Sequence, residues 1–239
     1  MTAVMPGGGG TPNNRIMHAL ASAWTSLETV AGFSQSPPNE ALLAFAAGER
    51  ARGGRRALDI GCGAARNAAP LAEAGWDVLG LDLSSPMLDA ARVRTSAAHL
   101  RVQFALAAMD GVPVADSSMD LIVAHGIWNL ARSGAEFRRG VWEAARVARR
   151  GAALFVFTFS RRTIPETAVA LPGETFVFTQ FSGAPQCFLT DAQLVHELGR
   201  VGFVPDPALP LNELNLPRPG VLTARQAPVI YQGAFRATR

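Results

Sequence analysis

Short apolar runs alternate along the chain with stretches in which apolar residues recur at helical spacing. Residues 56–60, 77–81, 102–107, 121–124 and 152–159 are apolar runs bounded by turn residues, the pattern of buried strands. Ile16, Leu20, Trp24 and Leu27 repeat at helical spacing and predict a helix over 16–30; a second is expected over 38–47 and a third over 65–74. Pro86 follows Ser85 at a predicted helix start, where proline's fixed φ is favourable. Ser133 with Glu136 and Thr190 with Gln193 carry the spacing of capping boxes, opening helices to about 148 and 202. Residues 175–181 predict an extra strand and 229–236 a final one. This order predicts an α/β fold, a doubly wound, mostly parallel seven-stranded sheet with N-terminal helices and an insertion after the fifth strand. Ligands are expected beyond the carboxyl ends of its strands.

The glycine-rich residues 1–14 read as a disordered lead and 15–239 as a single domain, its cofactor half at about 55–125 and a substrate-side insertion at about 160–187. Composition supports a packed core, since 49% of the residues are hydrophobic and only 17% charged. No apolar run reaches the ~18 residues of a membrane span, and residues 1–15 lack the apolar stretch of a secretory signal, so a cytoplasmic location is expected. All 22 basic residues are arginines. With no lysine, Schiff-base chemistry, pyridoxal phosphate attachment and a phosphate-loop lysine are excluded. The net charge of +3 comes from scattered arginines, which form no stripe for a phosphate backbone, so no nucleic-acid partner is expected. Cys62 and Cys187 are too few for a structural zinc site or a disulfide framework.

The candidate chemistry lies in Leu58-Asp59-Ile60-Gly61-Cys62-Gly63, followed by Gly80-Leu81-Asp82-Leu83. Glycines at 61 and 63 permit a tight turn and close approach to a ligand. Asp82 ends the next strand, where a carboxylate can accept hydrogen bonds from two ribose hydroxyls. A dinucleotide fingerprint would want a third glycine at the position of Arg66. Asp59, two residues before the first glycine, would repel a pyrophosphate and suits a cationic amino group. The expected ligand is therefore a nucleoside carrying an ammonium, and S-adenosylmethionine fits.

At this point the chain resembles the class I S-adenosylmethionine-dependent methyltransferases, and within them the small-molecule branch of tellurite-resistance and thiopurine methyltransferases. The run from Leu58 through Gly63, Arg66, Asn67 and Leu71 to Gly80-Leu81-Asp82 carries the resemblance, which spans about residues 56–159. It implies that Asp59, Gly61 and Gly63 hold the methionine part of the cofactor and Asp82 its ribose. Cys62, Leu83, Met109, Asp110 and His125 complete the candidate cofactor set. For the adenine two arrangements stay open, Asp110 at its amino group or Met109 packed on its ring. The product would be S-adenosylhomocysteine.

The expected function is methyl transfer to an O, N, S or C atom of a small molecule, mainly by alignment and desolvation. The alternative is a non-catalytic S-adenosylmethionine-binding regulator or scaffold, favoured if no pocket adjoins the sulfonium. The fourth strand ends Val123-Ala124-His125-Gly126, without the signature of nucleic-acid amino methylation and without a carboxylate cluster for magnesium, so no metal is expected. His125 at the ligand edge is the candidate general base; the competing reading is a structural histidine. Trp128 and Asn129 are candidates for a flat wall and an amide at the acceptor, or for a helix start packed on the core. Arg161 is a candidate for receiving an acidic substrate, with a solvated side chain as the competing reading, and His18 and Trp24 lie on a helix that in this family often covers the site.

Overall fold

The structure is a computed structural model that describes residues 26–216 and 227–239. The lead at 1–14, His18, Trp24 and the first part of the helix expected over 16–30 lie outside the described residues.

Strands β1 (Arg56–Ile60), β2 (Asp77–Asp82), β3 (Val102–Leu106), β4 (Met119–His125) and β5 (Ala148–Phe159) run parallel in the order β3-β2-β1-β4-β5. The final strand, β10 (Ile230–Ala237), joins β5 antiparallel. Two short strands pair with its other edge, β8 (Phe203–Pro205) near its end and β9 (Asn212–Leu214) near its start. The main sheet thus has seven strands along its path and β9 as an eighth. The extra strand expected over 175–181 does not enter this sheet. Only β6 (Val177–Phe178) forms, paired with β7 (Gln186–Cys187) in a separate hairpin.

Strand alternation splits the core in two, because successive side chains point to opposite faces. Leu58, Ile60, Ile122, Ala124, Leu154 and Val156 face one layer, which α5 (Gly134–Val147) and α6 (Asp191–Gly199) cover. Helix α5 buries Phe137, Val141, Ala144 and Val147, the spacing of one helical face. Ala57, Leu121, Val123, Ala153 and Phe155 face the other layer, against α2 (Glu40–Ala51), α3 (Ala68–Glu73) and α4 (Ser85–Ala97). A further helix, α1 (Leu27–Gln35), precedes them.

Helix starts follow local side-chain chemistry. Asn39 caps α2 by accepting from Leu42 N–H, and Ser84 caps α4 by accepting from Met87 N–H. Thr190 and Gln193 form the complete reciprocal box expected for α6. At α5 only half of the expected box forms: Ser133 accepts from Glu136 N–H, while the Glu136 carboxylate accepts from Arg132.

Candidate functional site

Beyond Ile60 the chain turns through three residues in the left-handed region, Gly61 (φ 73°), Gly63 (φ 52°) and Ala65 (φ 60°). At Gly61 the requirement is also steric, since a Cβ there would lie 2.8 Å from Ile127 Cδ1. Cys62 N–H donates to Leu81 C=O at 2.8 Å, tying the turn to β2. Asp82 closes the arrangement: its Oδ2 accepts from Gly63 N–H at 2.9 Å and its Oδ1 from Ser84 N–H at 2.8 Å. Burial raises the Asp82 pKa, and these backbone donors pull it back.

A cavity of about 530 Å³ opens over the turn. It lies at the carboxyl ends of β1, β2, β4 and β5, around the point where strand order reverses between β1 and β4. Gly61, Cys62, Gly63, Asp82, Leu83, Met109, Asp110 and His125 all line it, together with Asn129. Apolar wall comes from Phe33, Met87, Ile127, Phe157 and Phe159.

Asp59 lies behind the turn, 1% exposed, and its Oδ2 has no hydrogen-bond partner among the described residues. Burial pushes its pKa up to about 7 against the pull of Arg66, with Asp82 adding to the rise. A buried carboxylate oxygen left without a donor is costly, and a cationic ammonium placed against it would relieve that cost. Together with a glycine turn that a Cβ would block and a carboxylate at the end of β2, this donor set fits S-adenosylmethionine.

His125 lines the cavity, yet its surroundings do not suit a general base. Its ring stacks on Phe157, centroids 4.1 Å apart and 8° from parallel. Arg66 Nη2 lies 3.0 Å from Nδ1 and 3.2 Å from Nε2, and near-equal distances to both ring nitrogens put the guanidinium over the ring face. Asn39 Nδ2 is 3.2 Å from Nε2 while donating to Gln232 Oε1 at 2.8 Å. Burial, and then the Arg66 charge, lower the His125 pKa to about 3. The ring so placed is neutral at physiological pH and lines the cavity.

Two acceptor-side expectations are also corrected. Trp128 is 1% exposed and packs in the core beside Met109 and Phe137, with a centroid distance of 6.0 Å to the Phe137 ring, so it offers no wall to a ligand. Arg161 is spent on its own loop, donating to the carbonyls of Ile164, Pro165, Glu166 and Ala168 and lying over the Phe178 ring. Asp110 reaches the cavity while paired with Arg139 at 3.0 Å. Asn129 is 3% exposed, and its buried Oδ1 has no hydrogen-bond partner among the described residues. The insertion contributes Gln186 to the lining. Sequence analysis did not single out Phe33, Arg66, Phe157 or Gln186 as ligand contacts; only Arg66 had a signal, as the residue that breaks the dinucleotide fingerprint. Among the described residues no group of three or more His, Cys, Asp or Glu side chains is placed to hold a metal ion. No helix among them is long and apolar enough to cross a membrane.

Residues 57–151 match the family model of a methyltransferase domain. The chain is 28% identical over 154 residues to the ubiquinone biosynthesis O-methyltransferase of Azorhizobium caulinodans, covering 63% of this chain and 59% of that protein. It is 32% identical over 111 residues to the demethylmenaquinone methyltransferase of Renibacterium salmoninarum, covering 46% and 44%. The chain therefore spans about half the length of the curated relatives it matches. Among solved structures, the 1,6-didemethyltoxoflavin-N1-methyltransferase of Burkholderia thailandensis has a TM-score of 0.65 at 15% identity, covering 98% of this chain and 94% of that one. The fold is that of the class I S-adenosylmethionine-dependent methyltransferases, and residues 57–151 match its methyltransferase domain.

Proposed function

We propose that this chain transfers a methyl group from S-adenosylmethionine to a small, flat acceptor without a metal ion. The observation that carries the proposal is a glycine turn and the Asp82 carboxylate lining a cavity of about 530 Å³, with the buried Asp59 behind the turn, its Oδ2 without a hydrogen-bond partner among the described residues. The cofactor, when bound, supplies a methyl group already activated on a sulfonium. The protein's residues then have to hold, orient and exclude water. Asp59 would receive the ammonium and Asp82 the ribose. The glycine turn lets the backbone approach the ligand closely. Phe33, Ile127, Phe157 and Phe159 form a dry wall suited to a planar ring. His125 stays neutral and fixes that wall through its stack on Phe157.

A flat ring acceptor agrees with the names of the quinone-pathway relatives and equally with the thiopurine branch that the sequence resembles. A non-catalytic cofactor-binding role is the alternative reading. The test is to titrate the chain with S-adenosylhomocysteine by calorimetry, then supply methyl-labelled S-adenosylmethionine with a catechol, a hydroquinone and a thiopurine. Label transfer to a ring is expected; cofactor binding without transfer to any acceptor class would favour the regulatory alternative.

A further inference from the structure

We infer that Arg66 receives a carboxylate carried by the acceptor, so that the cavity selects a flat aromatic acid over the neutral ring of the same shape. The inference rests on the function proposed above and names the charge of the substrate at the same site.

Among the described residues four charged side chains line the cavity, and three of them are already engaged. Asp82 accepts from the backbone N–H groups of Gly63 and Ser84, Asp110 pairs with Arg139 at 3.0 Å, and Glu136 accepts from Arg132 N–H at 2.8 Å. Arg66 differs. Its Nη2 meets only the neutral ring of His125, and its guanidinium makes no ion pair among the described residues. Nε and Nη1 have no hydrogen-bond partner there either, and neither atom is sealed from solvent. Burial lowers the Arg66 pKa against the pull of Asp59, with Arg94 adding to the fall. A half-buried cation in such surroundings lacks the counter-charge that an anionic ligand would supply.

The place of the guanidinium in the sheet indicates which anion. Strand order puts β4 between β1 and β5, so His125 separates Arg66, in the turn after β1, from Phe157 of β5. His125 and Phe157 are cross-strand neighbours with ring centroids 4.1 Å apart, and Arg66 Nη2 is 3.0 Å from His125 Nδ1. The cation therefore stands one imidazole away from the aromatic wall, on the β4 side of the turn, whereas Asp82 ends β2 on the other side. A flat ring seated on Phe157 and Phe159 directs a carboxylate on its edge to the free N–H groups of Arg66. A neutral ring leaves the guanidinium without that partner, so the discrimination comes from charge more than from apolar area.

The experiment measures ring binding to the full chain saturated with S-adenosylhomocysteine. The probes are 3-hydroxy-2-naphthoate and 3-hydroxy-2-naphthamide, which share the ring and the hydroxyl and differ in charge. The acid should bind about tenfold or more tighter than the amide, the scale of a hydrogen bond to a charged group. Arg66→Gln should erase that preference. In the native chain the Arg66 Nε–H resonance should shift with the acid and stay in place with the amide, a readout that decides the matter if Arg66→Gln fails to fold. The carboxylate of the cofactor is the competing partner. Arg66→Gln should weaken S-adenosylhomocysteine and its decarboxylated analogue by the same factor; a larger loss for S-adenosylhomocysteine assigns Arg66 to the cofactor and overturns the inference. Equal or absent binding of the two probes by the native chain, an Arg66 resonance that the acid does not move, or an Arg66→Gln chain that keeps the full preference overturns it as well. A native chain that binds S-adenosylhomocysteine and prefers neither probe keeps the proposed function and loses this inference, whereas one that does not bind S-adenosylhomocysteine loses both.

Discussion

Arg66, in the turn between β1 and α3, places its Nη2 3.0 Å from Nδ1 of His125 at the end of β4, so a fixed positive charge covers the ring that the sequence offers as a base. Protonating His125 would set two cations against each other in a buried place. With its pKa lowered from 6.5 to about 3, His125 stays neutral throughout the physiological range. At saturating S-adenosylmethionine, turnover should therefore show no inflection near pH 6.5, and the His125 ring resonances should not titrate between pH 5 and 8 in an NMR series. A rate that rises through pH 6.5 and loses that rise in His125→Asn would restore the general base.

Asp59 gives the opposite sign. Its folded pKa of about 7 lies above the ordinary 3.8, so its contribution to stability is present below 3.8 and is lost as pH rises toward 7. His125, depressed to about 3, contributes stability above 6.5 that is lost as pH falls toward 3. Between 3.8 and 6.5 the two slopes oppose each other, so neither should dominate a melting-temperature profile there. Cofactor binding isolates Asp59: an ammonium needs the carboxylate ionised, so binding should release a proton near pH 7 and weaken below it. Calorimetry in buffers of different ionisation enthalpy reads that proton directly. Asp59→Asn should weaken binding by about 1.5 to 3 kcal/mol and abolish the release.

Much of this was legible in the sequence, and the limits have physical causes. Gly61 and Gly63 announce a turn because backbone conformation is a local property, and the strand order follows from runs that each bury one face. His125 could be placed at the ligand edge, but its protonation is set by burial and by the Arg66 charge, which only the folded sheet brings about. Trp128 reads equally as wall or core until Met109, Phe137 and Gly140 close around it. Gln186 gives no sequence signal, since it reaches the cavity only through a hairpin two residues deep on each side.

Gly80 shows how closely the turn is packed on β2. A Cβ at this position would lie 2.8 Å from Cys62 Sγ and 2.9 Å from Phe104 Cδ1. Gly80→Ala should destabilise the fold by about 1 to 3 kcal/mol through overpacking and displace Cys62 from the cavity wall. Chemical denaturation reports the first effect and S-adenosylhomocysteine titration the second. Gly63→Ala is a useful contrast, because a Cβ there meets nothing nearer than Met87 Sδ at 4.0 Å and the cost comes from its φ of 52° alone. It should destabilise less than Gly80→Ala.

At the opposite end of the sheet, Arg236 of β10 joins three parts of the fold. Its guanidinium donates to Glu49 of α2 at 2.6 and 2.8 Å, to Asp206 in the loop after β8, and to Gly151 C=O at 3.1 Å. The carboxylates are 8% and 6% exposed, so each depends on this cation for compensation, although Arg52 also reaches Glu49 at 2.7 Å. Removing Arg236 leaves two buried acids facing one another, whereas removing Glu49 leaves Arg236 paired with Asp206. The loss should therefore be asymmetric: Arg236→Met should cost about 3 to 5 kcal/mol and Glu49→Gln about 1 to 2 kcal/mol in urea unfolding. Neither residue borders the cavity over Gly61, so the affinity of the folded fraction for S-adenosylhomocysteine should be the same in both variants as in the native chain. Equal losses in the two variants would mean that Asp206 alone does not hold Arg236, and that Glu49 and Arg236 act as a single pair.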